Sequence, residues 1–161
     1  MALNDFTSVI QVKPDAEAYN RRANVKCRLK NFHGAFEDYS AALKIDANYS
    51  SAYLNRGELK LDLKDYPSAI EDFNEAIKLQ PDLSKAYFGR GLAKGKLKDP
   101  KGAVTDYTLA IEFKPDFEEA YCKRGMARYE LLDQRGGCED LNRAVKLGCN
   151  AAYDYLLENC K

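Results

Sequence analysis

Between Ser51 and Leu63 the apolar or small residues Ala52, Tyr53, Gly57, Leu59, Leu61 and Leu63 alternate with polar ones at roughly helical intervals. A second stripe, Ile70, Phe73, Ala76 and Ile77, falls at i, i+3, i+6 and i+7. The pattern predicts two amphipathic helices of about a dozen residues each, too close together for anything but a turn between them. Asp65 stands where the second helix needs an N-cap, and Pro67 falls in its first turn, where a missing N–H is harmless. The same two-stripe stretch recurs with a period of 34 residues, so positions can be counted from Ala16, Ser50, Ser84 and Glu118 as the first of each copy. Position four is Tyr19, Tyr53, Tyr87 and Tyr121, and position eight is Ala23, Gly57, Gly91 and Gly125. Position twenty is Ala35, Ala69, Ala103 and Gly137; position twenty-four is Tyr39, Phe73, Tyr107 and Leu141; position twenty-seven is Ala42, Ala76, Ala110 and Ala144. Small residues at eight, twenty and twenty-seven let two helix backbones approach, and the bulky residues at four and twenty-four fill the space around them. No single pair buries its apolar face alone, so the units must stack. Asn31, Asp99 and Asp133 repeat the N-cap position of Asp65, so the turn chemistry is written four times.

A 34-residue period of aromatic, small, small, aromatic and small positions, closed by Pro81 and Pro115 at position thirty-two, resembles the tetratricopeptide repeat. Ala47 and Cys149 replace that proline in the first and fourth copies. The resemblance implies an all-α, right-handed helical-repeat solenoid of antiparallel helix pairs. The expected boundaries are the second helix of a truncated repeat over 1–15, repeats over 16–49, 50–83, 84–117 and 118–150, and a capping helix over 151–161. The truncated repeat places Ala2, Phe6 and Val9 at positions twenty, twenty-four and twenty-seven; its apolar face, with Leu3, Ile10 and Val12, suggests a piece of a longer solenoid rather than a cap. Gly148 is expected to end the helix before the last one and Asn150 to cap the last, whose stripe is Tyr153, Leu156, Leu157 and Cys160. The NRG and KRG segments and the LGC ending look like bacterial members of the superfamily.

Position seven is arginine in every copy, Arg22, Arg56, Arg90 and Arg124, and position twenty-three is aspartate, Asp38, Asp72, Asp106 and Asp140. Helices joined near position fifteen bring the two to similar heights, which predicts a ladder of Arg–Asp pairs, within a repeat or between neighbours. Aligned arginines could instead form a track for phosphate or acidic ligands, but matched aspartates in equal register favour the ladder.

The family resemblance implies that first helices line an inner groove. The residues expected to face it are Glu17, Asn20, Asn24 and Arg28, then Leu54, Asn55, Glu58 and Leu61, then Lys85, Phe88, Leu92 and Lys96, and finally Cys122, Lys123, Met126 and Tyr129. Leu54, Leu61, Phe88, Leu92, Met126 and Tyr129 would form an exposed apolar stripe edged by lysines, which suits an apolar peptide or helix with an acidic edge, unless these residues pack sideways onto the next helices. Some family members clamp the C-terminal carboxylate of a chaperone; Asn24, Asn55 and Lys85 match that clamp, but Asn20 and Gly89 replace two of its cations, removing most of the Coulombic reason for it. Gly89, Gly91 and Gly95 share one helix, where an extra glycine is unfavourable by up to ~1 kcal/mol relative to alanine, so either packing or the approach of a ligand must explain them.

Composition narrows the function classes. With 25 basic and 25 acidic side chains the net charge is zero, which argues against nucleic acid as a partner. No apolar run approaches the ~20 residues of a membrane span and no signal pattern opens the chain, so a soluble, cytoplasmic protein is expected. Cys27, Cys122, Cys138, Cys149 and Cys160 form no CxxC pair, and an odd count with a single histidine, His33, predicts reduced thiols and neither metal nor cofactor. No nucleophile–base pair or phosphate loop is present, so the expected function is non-catalytic: binding a peptide or helix of a partner protein in the groove. The alternative is a scaffold that self-associates through its N-terminal end.

Overall fold

The computed structural model describes residues 2–160, and every element in it is helical. Met1 and Lys161, and the side chain of Ala2 expected at the small position, lie outside the described residues. The chain divides after Pro81 into two compact units. The first holds α1 (Ala2–Val12), α2 (Ala16–Arg28), α3 (Phe32–Ile45), α4 (Ser50–Asp62) and α5 (Tyr66–Leu79). The second holds α6 (Ser84–Lys96), α7 (Pro100–Phe113), α8 (Glu118–Glu130), α9 (Gln134–Lys146) and α10 (Asn150–Asn159).

The hairpins α2–α3, α4–α5, α6–α7 and α8–α9 share one turn. Each first helix ends with a residue in the left-handed region, Lys30 at φ 59°, Lys64 at 65°, Lys98 at 62° and Leu132 at 66°. In the first of these turns the Lys30 N–H donates to the Cys27 carbonyl and the Asn31 N–H to the Lys26 carbonyl, satisfying groups that a helix end leaves orphaned. The next residue immediately caps the second helix: the side chains of Asn31, Asp65, Asp99 and Asp133 accept from the N–H groups of Gly34, Ser68, Gly102 and Gly136.

Small residues set the spacing within the hairpins. A Cβ on Gly57 would lie 2.9 Å from the Phe73 ring, one on Gly91 2.7 Å from the Tyr107 ring, and one on Gly125 2.9 Å from both Leu141 and the Gly137 carbonyl. Packing therefore explains Gly91. In the first unit Ala23, Ala35, Tyr39 and Leu59 pack together; in the second, Ala103, Tyr107 and Ala127 form one core and Cys122, Leu141, Ala144 and Ala152 another, the latter roofed by Tyr155 and Leu156 of α10.

Two sequence expectations need correction around α10. Asn150 is its first residue, not its cap: Cys149 holds the N-cap position and offers no side-chain hydrogen bond there. Gly148, at φ 101°, does end α9 as expected. The thiols are not all reduced either, because Cys138 on α9 and Cys160 just past α10 form a disulfide with their Cα atoms 5.7 Å apart. Their 22-residue separation reveals nothing at the level of pattern; the pairing follows from how α10 folds back over α9. Cysteine usage consequently gives no support to a reducing compartment. Cys27, Cys122 and Cys149 are free, and burial first, then proximity to Cys149, pushes the Cys122 thiol up to about 12, so it stays protonated. No described helix is long and apolar enough to cross a membrane.

Candidate functional site

The four arginine–aspartate pairs lie within their hairpins. Arg22 donates to both Asp38 oxygens at 2.8 and 2.7 Å, Arg56 to Asp72 at 2.9 and 2.7 Å, Arg90 to Asp106 at 3.0 and 2.6 Å, and Arg124 to Asp140 at 2.8 and 2.7 Å. A third guanidinium bond runs to the previous hairpin or helix: Arg22 to the Thr7 hydroxyl at 3.3 Å, Arg56 to Ser40 and Arg124 to Thr108 at 3.2 Å. Each guanidinium also lies over the tyrosine three residues before it, Tyr19, Tyr53, Tyr87 or Tyr121, at 5.4 to 5.7 Å from the ring centre. Arginine forks committed to buried carboxylates and ring faces are spent on structure.

Sequence reasoning missed a second cation on each aspartate. Lys26, Lys60 and Lys94 reach the Oδ2 atoms of Asp38, Asp72 and Asp106 at 2.8 Å, and Arg128 reaches that of Asp140 at 2.9 Å. These four share position eleven, so the same 34-residue comparison could have found them. Burial alone would push the Asp38 carboxyl up, but hydrogen bonds and charge from Arg22 and Lys26 outweigh it and hold the carboxyl below its usual range.

The expected groove residues divide sharply by partner. In the first unit the three asparagines serve one another and nearby tyrosines. Asn55 donates to Asn20 at 2.9 Å, Asn20 donates to the Tyr49 hydroxyl at 3.3 Å, and Asn24 accepts from the Tyr39 hydroxyl at 2.6 Å. Asn20 is only 5% exposed. The expected exposed apolar stripe is not exposed as such: Leu54 is 8% accessible, and Leu61, Phe88, Leu92, Met126 and Tyr129 are half-buried; the groove candidate Cys122 is only 2% accessible. In the second unit sideways packing is the reason. Phe88 lies against Tyr107 and Phe117 at 5.7 and 4.8 Å between ring centres, and Tyr129 meets Tyr155 edge to face at 5.8 Å. Glu17, Arg28, Glu58, Lys85, Lys96 and Lys123 remain exposed. Glu17 pairs with Arg21 one turn along α2.

An open cleft in the second unit brings several of the expected groove residues together. Leu92, Gly95 and Lys96 of α6 form one wall and Lys123, Met126, Ala127 and Glu130 of α8 the other, with Ala103 and Tyr107 of α7 behind them and Pro100 at one end. Its volume is about 210 Å³. Among the described residues Lys96 and Lys123 make no ion pair. Tyr107 itself is 4% exposed, and burial, then the charges of Asp106 and Glu130, pushes its phenol well above the ordinary range, so it is a donor at every physiological pH.

Paired helices of 13 or 14 residues repeating every 34, with one conserved-geometry ion cluster per hairpin, define a helical-repeat solenoid. Tetratricopeptide repeat models match residues 16–49, 50–83 and 84–117, more than half of the chain, and the chain belongs to the tetratricopeptide repeat family. No curated protein sequence matches it. Among solved structures it is similar to MamA 41-end from Desulfovibrio magneticus RS-1, at 18% identity with 90% of this chain and 82% of that one covered and a TM-score of 0.81. It is similar also to YrrB, described as a TPR protein with an unusual peptide-binding site, at 22% identity, coverage of 97% and 85%, and a TM-score of 0.80. A third is PilF of Pseudomonas aeruginosa, at 19% identity, 89% and 66% coverage, and a TM-score of 0.84. At these identities the likeness is one of fold, a TPR-like solenoid. Repeats of this family indicate a protein–protein interaction module and are generally non-catalytic.

Proposed function

We propose that this chain is a non-catalytic module that binds a peptide segment of a partner protein on the face formed by α6 and α8. The observation that carries this reading is the cleft between those helices, where apolar walls, a buried phenol and two lysines that make no ion pair among the described residues converge. The family and the peptide-binding neighbour are in keeping with it. Selection of phage-displayed random peptides on the immobilised protein tests it. Selected peptides should lose binding to a Lys96→Glu, Lys123→Glu variant whose helicity by circular dichroism is unchanged. Peptides that bind this variant as well as the wild type would move the binding surface elsewhere.

A second reading, self-association through α1, is favoured by Val9 and Val12, which stand exposed on that helix, Val12 at 88%. A mass by light scattering that rises with concentration, and falls back for Val9→Lys, Val12→Lys, would establish it; a constant monomer mass would dismiss it.

A further inference from the structure

The residue at position twenty-four of the repeat is satisfied differently in successive hairpins. Tyr39 donates its hydroxyl to Asn24 at 2.6 Å and has the Cys27 sulfur 3.6 Å away. Phe73 has no hydroxyl to satisfy. Tyr107 does, but the positions that carried Asn24 and Cys27 are here Leu92 and Gly95. Neither side chain can accept its hydrogen bond, and none of the hydrogen bonds among the described residues involves the Tyr107 hydroxyl. That oxygen is not sealed in the core, since no buried side-chain polar atom among the described residues lacks a partner; it opens into the cleft that the missing side chain of Gly95 leaves. A Cβ at Gly95 would stand 3.9 Å from it.

A donor whose only outlet is this cleft is met by water when the cleft is empty, so a ligand that displaces that water must bring an acceptor of its own. The rim narrows the choice of acceptor. Lys96 and Lys123 bring two cations against the single carboxylate of Glu130, so an anionic acceptor is preferred to a neutral one. Size narrows it again: 210 Å³ is below the ~300–1,000 Å³ of sites that enclose a small-molecule ligand, yet ample for one side chain. An acceptor that must reach Tyr107 at the back while its chain stays outside needs methylenes long enough to pass between Leu92 and Met126.

We infer that the cleft is a specificity pocket for an internal glutamate of the partner peptide, whose carboxylate accepts from the Tyr107 hydroxyl and is neutralised by Lys96 and Lys123 while its methylenes lie between Leu92 and Met126. This rests on the peptide-binding reading of the α6–α8 face and adds which residue the face selects. Gly95 is the enabling position. The second repeat, with Leu61 there and Phe73 behind it, has no such donor.

The test is a proton–nitrogen NMR titration of the full chain with two probes, acetyl-Leu-Glu-Leu-amide and acetyl-Leu-Gln-Leu-amide. The glutamate peptide should shift the amides of Leu92, Gly95 and Met126 and bind about tenfold more tightly than the glutamine peptide, the margin of one charge-assisted contact. Tyr107→Phe, which installs the ring that the second repeat already accommodates, should remove most of that margin. Gly95→Leu, which installs the residue of the second repeat, should abolish the shifts. Equal binding of the two peptides, or an unchanged margin in Tyr107→Phe, overturns the glutamate pocket while leaving a peptide groove in place. If neither peptide moves these amides the pocket is likewise overturned, and the selected phage peptides then decide by themselves whether the face binds peptides at all.

Discussion

At the scale of single residues, the clusters around Asp38, Asp72, Asp106 and Asp140 dominate. Each nearly buried carboxylate receives a bidentate arginine and a second cation, so deleting the carboxylate strands two positive charges. Asp38→Asn should lower the unfolding free energy by about 3 kcal/mol, the loss that follows when one partner of a buried pair is removed, as measured by urea denaturation at neutral pH. The same variant carries a pH signature. The Asp38 carboxyl is held below its unfolded value, so its contribution is complete above about pH 5 and disappears as the pH falls through the unfolded value near ~3.9 and then the lower folded one. The stability difference between wild type and Asp38→Asn should therefore shrink on acidification, and a difference independent of pH would show that the carboxylate charge is not what matters. The arginine and aspartate halves of these clusters are legible in the sequence because both recur in strict register. The lysine half recurs just as strictly, but a lysine on a helix is so ordinary that only the shared aspartate gives it meaning.

Elements are governed by their ends and by glycine. Lys64 sits at φ 65°, where a side chain is strained by roughly 1 kcal/mol or more, so Lys64→Gly should raise the thermal midpoint despite removing a cation from a helix C-terminus. Asp65→Ala, one residue on, should lower stability by ~1 kcal/mol through loss of the cap to Ser68. Two glycines of α6 predict opposite outcomes. Gly91→Ala forces a Cβ to 2.7 Å from the Tyr107 ring and should destabilise by ~1–3 kcal/mol, whereas Gly95→Ala meets only ordinary contacts at 3.9 Å and should stabilise by up to ~1 kcal/mol. Thermal unfolding of the two variants side by side decides both. Helix pairs, turns and caps are legible in the sequence because they are local: periodicity, a capping carboxylate and a small residue at fixed spacing suffice. The face that a helix turns to its neighbours is not local. Leu54 and Cys122 read as groove residues by position, yet both are buried, Cys122 against Leu141, Ala144 and Ala152, and Asn20 and Asn24 are consumed by Tyr49 and Tyr39. The α6–α8 cleft depends on the side chain that Gly95 lacks, and the sequence singled out that glycine without revealing the hydroxyl behind it.

Across the whole molecule, each unit is held by stacked hairpins with small residues at the crossings, and the second unit is closed by α10. The roof that α10 places over Cys122, Leu141 and Ala144 is tied down by the Cys138–Cys160 disulfide. Closing a loop of this length is worth roughly 3 kcal/mol in the chain-entropy account. Reduction, or Cys160→Ser, should accordingly speed amide hydrogen exchange through α10 while leaving α6 and α7 protected; uniform acceleration across the second unit would mean that α10 is not a separable roof. No residue pattern foretells this pairing, because Cys160 reads equally well as one more apolar position of the last helix.

The disulfide also makes the chain mechanically asymmetric. When the protein is stretched from its two ends, the 21 residues between Cys138 and Cys160 cannot extend, so the oxidised molecule should yield a contour length roughly 70 Å shorter than the reduced one in single-molecule force spectroscopy. Tension would then pass straight from α9 to the end of the chain and bypass the last helix, leaving that helix outside the force-bearing path for as long as the two sulfurs stay joined.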